Sequence, residues 1–447
     1  MNIVRLSSLD RADLASLLAR PAASDDAERR ERVAAIIAQV RQYGDEALAE
    51  LTGRFDGVTL SDFAISVEAI DQSGRRLGAD ERSALERAYA TIRRFHLETG
   101  RREMRVETAP GVVCQRLVRA IERVGLYVPG GSAPLPSTAL MLGVPAQLAE
   151  CAEVVLCTPP NADGEVAPSI LYAAKLCGIE NVFRIGGAQA IAAMAYSTAS
   201  VPKVDKIFGP GNAWVTEAKQ QVSRDPAGAA QDLPAGPSEL LVVADADADP
   251  VIVAADLLSQ AEHGPDSQVI LLTLDEAQAR ACVDATLAQL DSLPRAAIAR
   301  RALEKSRVLV CESRDTALAV INDYAPEHLL INTVDADDWL AGVQNAGSVF
   351  LGSFTPESLG DYCSGTNHVL PTYGHARVSG GLSVADFQKS FTVQRASAEG
   401  LAMLGPVASK LAGMEGLEAH ARAVTLRLDE RTGLDQSTLA AAVRERS

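Results

Sequence analysis

Residues 239–273 read ELLVVADADADPVIVAADLLSQAEHGPDSQVILLT, and they decide the fold class. ELLVVAD (239–245) and QVILLT (268–273) are short runs rich in Val, Ile and Leu, the composition of strands buried on both faces. Between them, residues 249–263 carry a helical period and stop at Gly264-Pro265. Strand, helix and strand in that order make a parallel crossover. The alternation extends both ways. Downstream lie RVLVC (307–311), HLLINT (328–333) and SVFLGS (348–353), with helical segments at 275–290 and 314–325. Upstream, RVGLYV (123–128), EVVLCT (153–158), NVFRIG (181–186) and DKIFGPG (205–211) alternate with helical segments at 138–150, 168–178 and 212–223. Two such series predict an α/β protein with two Rossmann-like parallel-sheet units, each incompletely doubly wound. The Pro/Gly-rich DLPAGPSE (232–239) is the crossing point between them.

The flanks read differently. Residues 1–25 predict an N-terminal arm, and Ser24 with the two aspartates after it predicts a helix N-cap. Val33, Ile36, Ile37 and Val40 share one helical face, and Leu85, Tyr89, Ile92 and His96 share another. The predicted division is the helical arm, an α/β domain from 26–126 and 238–382, a Rossmann-like nucleotide-binding domain at 127–237, and a helical C-terminal appendage at 383–447.

Composition narrows the function. The 447 residues include 58 acidic and 42 basic side chains, for a net charge of −16. Phosphate binding needs a basic footprint, so no nucleic-acid partner is expected. No apolar stretch approaches the roughly 18 residues of a membrane span. Asp10, Arg11 and Asp13 fall where a secretory leader needs an apolar run. Seven cysteines without a C-x-x-C pair make no disulfide framework. A cytoplasmic protein with no membrane partner is the expectation.

Four glycine turns follow predicted strands: Tyr127-Val-Pro-Gly130-Gly131, Gly186-Gly187-Ala-Gln189, Gly209-Pro-Gly211-Asn212 and Ala235-Gly-Pro-Ser238. Such turns let backbone N–H groups approach a phosphate at a helix N-terminus. The third is best placed, because a helix starts directly after it. None completes G-x-G-x-x-G, since Trp214 occupies the last position of the third turn. Nucleotide binding and plain βα turns both stay open on these residues.

The six histidines are His96, His263, His328, His368, His375 and His420. His96 has no adjacent acid and reads as a packing or surface residue. Gln260 and His263, three apart, share one face of a helix end. They could grip a divalent cation, but glutamine is an unusual zinc ligand and a polar helix end is the simpler reading. Glu327-His328 offers two bases with reference pKa values of roughly 4 and 6.5. That pair suits proton removal from an alcohol or from water. A solvated loop pair is the alternative.

Topology joins these pieces. A helix that follows a parallel strand runs back, so its C-terminal end lies near the strand N-termini. Gln260 and His263 end such a helix, Glu327 and His328 begin a strand, Ser238 precedes one, and Asp361 ends a short helical turn after SVFLGS. All six should meet at one edge of one sheet, opposite the usual crevice at strand carboxyl ends. The glycine turns of the first series lie at that usual edge of the other sheet. A cleft between the units could then hold a nucleotide on one side and a metal-held substrate on the other. Zinc–ligand bonds are about 2 Å, so Asp361 has to fall within ~10 Å of His263.

In these residues the chain resembles the histidinol dehydrogenase family. The matching segments are GLYVPGG (125–131), IGGAQAIAAMAY (185–196), KIFGPGN (206–212), DLPAGPSELLVVAD (232–245), AADLLSQAEHGPDSQ (254–268), APEHL (325–329), FLGSFTPESLGDYCSGTNHVLPT (350–372) and EGLEAHARAV (415–424). The resemblance implies zinc-dependent oxidation of L-histidinol to L-histidine through bound L-histidinaldehyde, with two NAD, as the last two steps of histidine biosynthesis. It implies one zinc per subunit on Gln260, His263, Asp361 and His420. It implies substrate contacts at Ser238 and Glu415, beside the metal ligands and His328. Glu327 and His328 become the catalytic pair, and Tyr127, Gln189 and Asn212 the NAD contacts. It also implies a homodimer that shares its sites by exchanging the C-terminal segment, which carries His420. Gln231 departs from the family's more usual aliphatic residue. The rival from the same superfamily is a dehydrogenase of another small alcohol, such as a sulfonated diol. Glu415 speaks against it, because an anionic substrate has no use for a carboxylate there. A zinc hydrolase using Glu327 and water predicts turnover without NAD, and a non-catalytic metal-binding protein predicts no NADH. His368 and His375 carry no assigned role.

Overall fold

Along the strand Glu239–Ala244, Leu240 and Val242 enter one apolar core while Leu241 and Val243 enter another. A strand with apolar residues at both parities needs cover above and below, and helices supply it. The computed structural model describes residues 1–8, 10–20, 27–130, 133–233 and 236–429. Ser24, Gly131, Ala235 and the tail beyond 429 lie outside the described residues. The chain divides into two units: Met1–Gly100 with Ala120–Phe387, and Arg101–Arg119 with the segment from Gln388 onward.

The first unit holds two all-parallel sheets. One begins with Arg123–Tyr127 at its centre. Glu153–Thr158 and then Asn181–Arg184 extend it to one side, Lys206–Phe208 and Ala230–Gln231 to the other. The other repeats that order. Glu239–Ala244 is central, with Gln268–Thr273 and Arg307–Val310 on one side and His328–Asn332 and Ser348–Leu351 on the other. In each sheet the chain returns to the centre and continues outward on the opposite side, which is the doubly wound switch. Among the described residues, no helix is long and apolar enough to cross a membrane.

Three placements differ from the sequence reading. The arm begins as the strand Asn2–Arg5, paired with Arg307–Val310 at the edge of the six-stranded sheet. Its two apolar residues, Ile3 and Val4 between Asn2 and Arg5, are too few to carry a legible alternation, so only the ladder reveals the strand. The helices Ala27–Tyr43, Asp45–Phe55 and Ala79–His96 pack against the sheet of 123–231, not against the sheet that carries Glu327 and His328. Periodicity shows which face of a helix is apolar, but not which sheet receives it. The proposed boundary at 126/127 also cuts the strand Arg123–Tyr127.

The second unit is not wholly helical. Met104–Ala109 and Val112–Ala120 form an antiparallel hairpin, joined in one three-stranded sheet by Gln388–Ala396. The helices Ala398–Met414 and Glu418–Asp429 follow. The strand Met104–Ala109 is exposed along nearly its whole length and carries charge, so it lacks the apolar run that marks a strand.

Gly209 ends the strand Lys206–Phe208 with φ +122°, and a Cβ there would meet the Tyr127 carbonyl oxygen at 2.2 Å. Gly209→Ala should destabilise the protein by ~2–5 kcal/mol, from backbone strain plus a clash against main chain. Gly53, inside the helix Asp45–Phe55, has nothing closer than 3.9 Å to its added Cβ. Gly53→Ala should instead stabilise by about 0.5–1 kcal/mol. Urea unfolding of the two variants checks both signs.

Candidate active site

The N-terminal edge of the six-stranded sheet gathers the chemistry. The helix Pro250–Ala261 follows the central strand, runs back, and delivers Gln260 and His263 to this edge. His328 opens its strand opposite Leu240 of the central one. The short helix Glu357–Tyr362, after the strand Ser348–Leu351, places Glu357 and Asp361 one turn apart on one face.

Ala325 ends the helix Arg314–Tyr324 in the left-handed region, φ 51°. Pro326 follows it, so the chain breaks sharply and Glu327 and His328 turn inward. Both are buried, which removes the solvated-loop reading. Glu327 Oε2 accepts from the Glu239 N–H at 2.8 Å. His328 Nδ1 lies 3.1 Å from the Glu239 carbonyl oxygen and donates to it. Its Nε2 is therefore the free position, and no side chain or backbone group bonds it.

Three carboxylates surround this one imidazole. Glu357 and Glu327 approach Nδ1 at 3.5 Å and 3.6 Å, and Asp361 approaches Nε2 at 3.6 Å. Burial pushes Glu327 and Glu357 up to about 8. Burial opposes the charged form of His328 as well, but the carboxylates of Glu357, Glu327 and Asp361 outweigh it and draw the imidazole up to about 10. Burial also raises Asp361, yet the neighbouring imidazoles win and hold it below the usual carboxylate range. Burial keeps protons on Glu327 and Glu357, and ionising all three carboxyls around one imidazole would need a further cation.

The donors for one are present. Ligand atoms of His328, Glu357 and Asp361 lie within 4.8 Å of one another. His263 Nε2 lies 4.0 Å from Asp361 Oδ2, inside the ~10 Å that a shared ion requires. Its Nδ1 donates to the Ser259 carbonyl at 3.0 Å, which turns Nε2 toward Asp361. Gln260 is fully buried, and neither its amide oxygen nor its nitrogen has a partner. An orphaned buried amide at a helix end, three residues before His263, fits an ion held by nitrogen and oxygen donors.

One cavity of about 1200 Å³ joins this edge to the other sheet. Ser238, His263, Glu327, His328 and Asp361 line it, and so do Gly209, Pro210, Gly211 and Asn212. Asn212 caps the helix Ala213–Arg224, its side chain accepting from the N–H groups of Trp214 and Val215. The turn before it is clamped from below. Asp232 accepts from the Gly209 N–H at 2.7 Å, and Lys219 donates to the Gly209 carbonyl at 2.8 Å and to Asp232. Tyr127 and Gln189 are buried at the same sheet edge and are not among the described lining residues. Tyr127 accepts from the Gly187 N–H at 3.0 Å. The turn and helix N-terminus at Asn212 thus fit a dinucleotide phosphate better than Tyr127 and Gln189 do as they stand.

Glu415 and His420 belong to the second unit, where both are exposed. His368 lines the cavity between the Asp361 carbonyl, 2.8 Å from Nδ1, and Thr138 Oγ1, 3.3 Å from Nε2. His375 lines it too. Sequence reasoning misses Glu357 and Glu239. The signal for Glu357 is its spacing of four before Asp361 on one short helix. Glu239 acts through its backbone, which no residue type reveals.

Comparison with known proteins agrees with the resemblance. The histidinol dehydrogenase family model matches residues 19–428. A histidinol dehydrogenase of Xanthomonas euvesicatoria pv. vesicatoria is 56% identical over 428 residues, covering 96% of this chain and 99% of that protein. One of Vibrio parahaemolyticus is 53% identical over 432 residues, covering 97% and 99%. The crystal structure of histidinol dehydrogenase from Elizabethkingia anophelis superposes with a TM-score of 0.93 at 43% identity, covering 97% of this chain and 99% of that one.

The Lys219–Asp232 pair is buried, with side chains 3% and 1% exposed. Lys219→Ala leaves a buried carboxylate facing the Gly209 turn alone. It should cost ~3–5 kcal/mol in urea unfolding, and Lys219→Met with Asp232→Leu should cost less than that single change.

Proposed function

The chain belongs to the histidinol dehydrogenase family, and from that premise we propose that it oxidises L-histidinol to L-histidine in two NAD-dependent steps with one zinc ion per site. It is an enzyme of histidine biosynthesis. The observation that carries the finer reading is the cavity itself. It opens the Glu327–His328 pair, with His263 and Asp361, onto the Gly209–Asn212 turn of the other sheet. Substrate and cofactor can therefore meet across it.

Gln260, His263 and Asp361, with the partner subunit's His420, are the residues we assign to hold zinc. When bound, zinc supplies a Lewis-acid anchor for the substrate's imidazole and amine. NAD, when bound, accepts the hydride, and we assign its contacts to Tyr127, Gln189 and Asn212. Ser238 and the partner subunit's Glu415 complete the substrate contacts, Glu415 as the anion that faces the substrate's ammonium. The sharing of sites is supported by the second unit's apolar exposure. Met403, Leu404, Val407, Leu411 and Met414 of the helix Ala398–Met414 are all exposed, and apolar side chains grouped on one helix mark an interaction surface. We assign a second copy of the chain to it.

The chain's own groups then divide the work. His328 Nε2, left free by the Nδ1 bond to Glu239, takes the hydroxyl proton as the carbinol carbon loses hydride. Positive charge beside Asp361 and Glu357 lowers the imidazole's proton affinity and readies it for that step. Glu327 removes a proton from the water that adds to the aldehyde, and His328 acts again on the diol. Burial of the pair keeps the aldehyde from side reactions.

His328→Ala should slow both oxidations by roughly 10²–10⁴, the weight of a general base, while zinc content stays near that of the parent. Glu327→Gln should spare alcohol oxidation more than aldehyde oxidation, and equal losses contradict the division. The decisive assay is NADH absorbance with histidinol and NAD, with and without a chelator. Two NADH per histidinol, abolished by the chelator, is the expected result; turnover without NADH would refute the reading.

A further inference from the structure

Residue 239 touches both members of the acid–base pair through its backbone alone. Its N–H donates to Glu327 at 2.8 Å, and its carbonyl accepts from His328 Nδ1 at 3.1 Å. These two bonds set the carboxylate of one residue and the tautomer of the other. Residue 239 opens a strand in register with Gln268, and its own side chain adds a second anchor. The Glu239 carboxylate, 3% exposed, is gripped by Arg20 from the N-terminal segment. The guanidinium meets it two-pronged, Nε on one oxygen and Nη2 on the other at 2.9 Å. Nη2 also donates to the Tyr324 carbonyl at 2.7 Å, and the guanidinium carbon lies 4.0 Å from the centre of the Tyr324 ring. The Tyr373 N–H adds a third bond to the carboxylate, at 2.9 Å. Ala325 and Tyr373, which border this knot, both hold left-handed φ angles without being glycine. Such conformations persist only where the surroundings over-determine them.

We infer that Arg20 is a positioning residue for the reaction. It neutralises and fixes Glu239, whose backbone then holds Glu327 and His328 in register for proton transfer. The inference rests on the roles proposed above for Glu327 and His328. Without Arg20, Glu239 is a buried carboxylate with one N–H for company, so residue 239 must shift or take up a proton. Either change reaches the pair directly. Arg20 also lines the cavity, so the competing role is a direct contact to a cofactor phosphate. The exposed Arg5–Glu276 pair, on the same N-terminal segment, provides the control for loosened docking of that segment.

Steady-state kinetics with histidinol and NAD separate these. Arg20→Ala should lower kcat ~10- to 100-fold, the scale of a misplacement of about 1 Å, with both KM values unchanged. Guanidinium chloride at non-denaturing concentration should restore much of that loss. Arg20→Lys should be intermediate, because an ammonium cannot make the two-pronged contact. Glu239→Gln keeps the shape but not the charge, and should lose kcat without rescue by guanidinium. Arg5→Ala should match the parent. A raised KM for NAD at unchanged kcat overturns the inference in favour of a phosphate contact. So does an Arg20→Ala defect that guanidinium leaves untouched while Glu239→Gln stays fully active. Fully active His328→Ala overturns the base assignment and this inference together; inactive His328→Ala beside unimpaired Arg20→Ala overturns this one alone.

Discussion

A cluster of carboxyl groups, buried where water cannot support their ionisation, is the constraint around which this protein is arranged. Glu327, Glu357 and Asp361 crowd one imidazole at the N-terminal edge of the six-stranded sheet. An apolar core of packed strands cannot tolerate that alone. The relief comes in layers. Backbone supplies the Glu239 N–H to Glu327, and Arg20 neutralises the next carboxylate along. Yet Gln260 and both oxygens of Glu357 remain without a hydrogen-bond partner. Those unpaired groups are complementary to a cation and to a positively charged amine, which is the chemistry of histidinol.

The two sheets share one strand order but are used at opposite edges. The sheet of 123–231 offers its C-terminal edge, where the strand order switches at Tyr127 and Gly209, as doubly wound folds do. The sheet of 239–351 offers its N-terminal edge instead. A helix returning from a parallel strand ends at that edge, so Gln260 and His263 arrive there by topology. One cavity then receives a glycine turn from one sheet and titratable groups from the other.

Much of this was legible in the chain because strands buried on both faces write themselves as continuous apolar runs. Such runs need no partner to be recognised, and EVVLCT (153–158) and QVILLT (268–273) read correctly for that reason. Crossover geometry brings His263, Asp361, Glu327, His328 and Ser238 to one cavity and returns the helix end that carries Gln260 to the same sheet edge. What stayed hidden lacked such a signature. The strand Asn2–Arg5 is defined by its ladder to Arg307–Val310, and Met104–Ala109 by a hairpin that buries little. Glu239 and Arg20 act through backbone bonds and a contact across 219 positions of sequence, which no local pattern encodes.

Calorimetric titration of zinc into metal-stripped protein tests the charge argument most directly. One ion per chain should bind the parent protein, and Gln260→Leu, which keeps the core filled but removes the orphaned amide, should weaken binding by at least ~10-fold. A parent protein that takes up no ion, or a Gln260→Leu variant that binds as tightly as the parent, would contradict it.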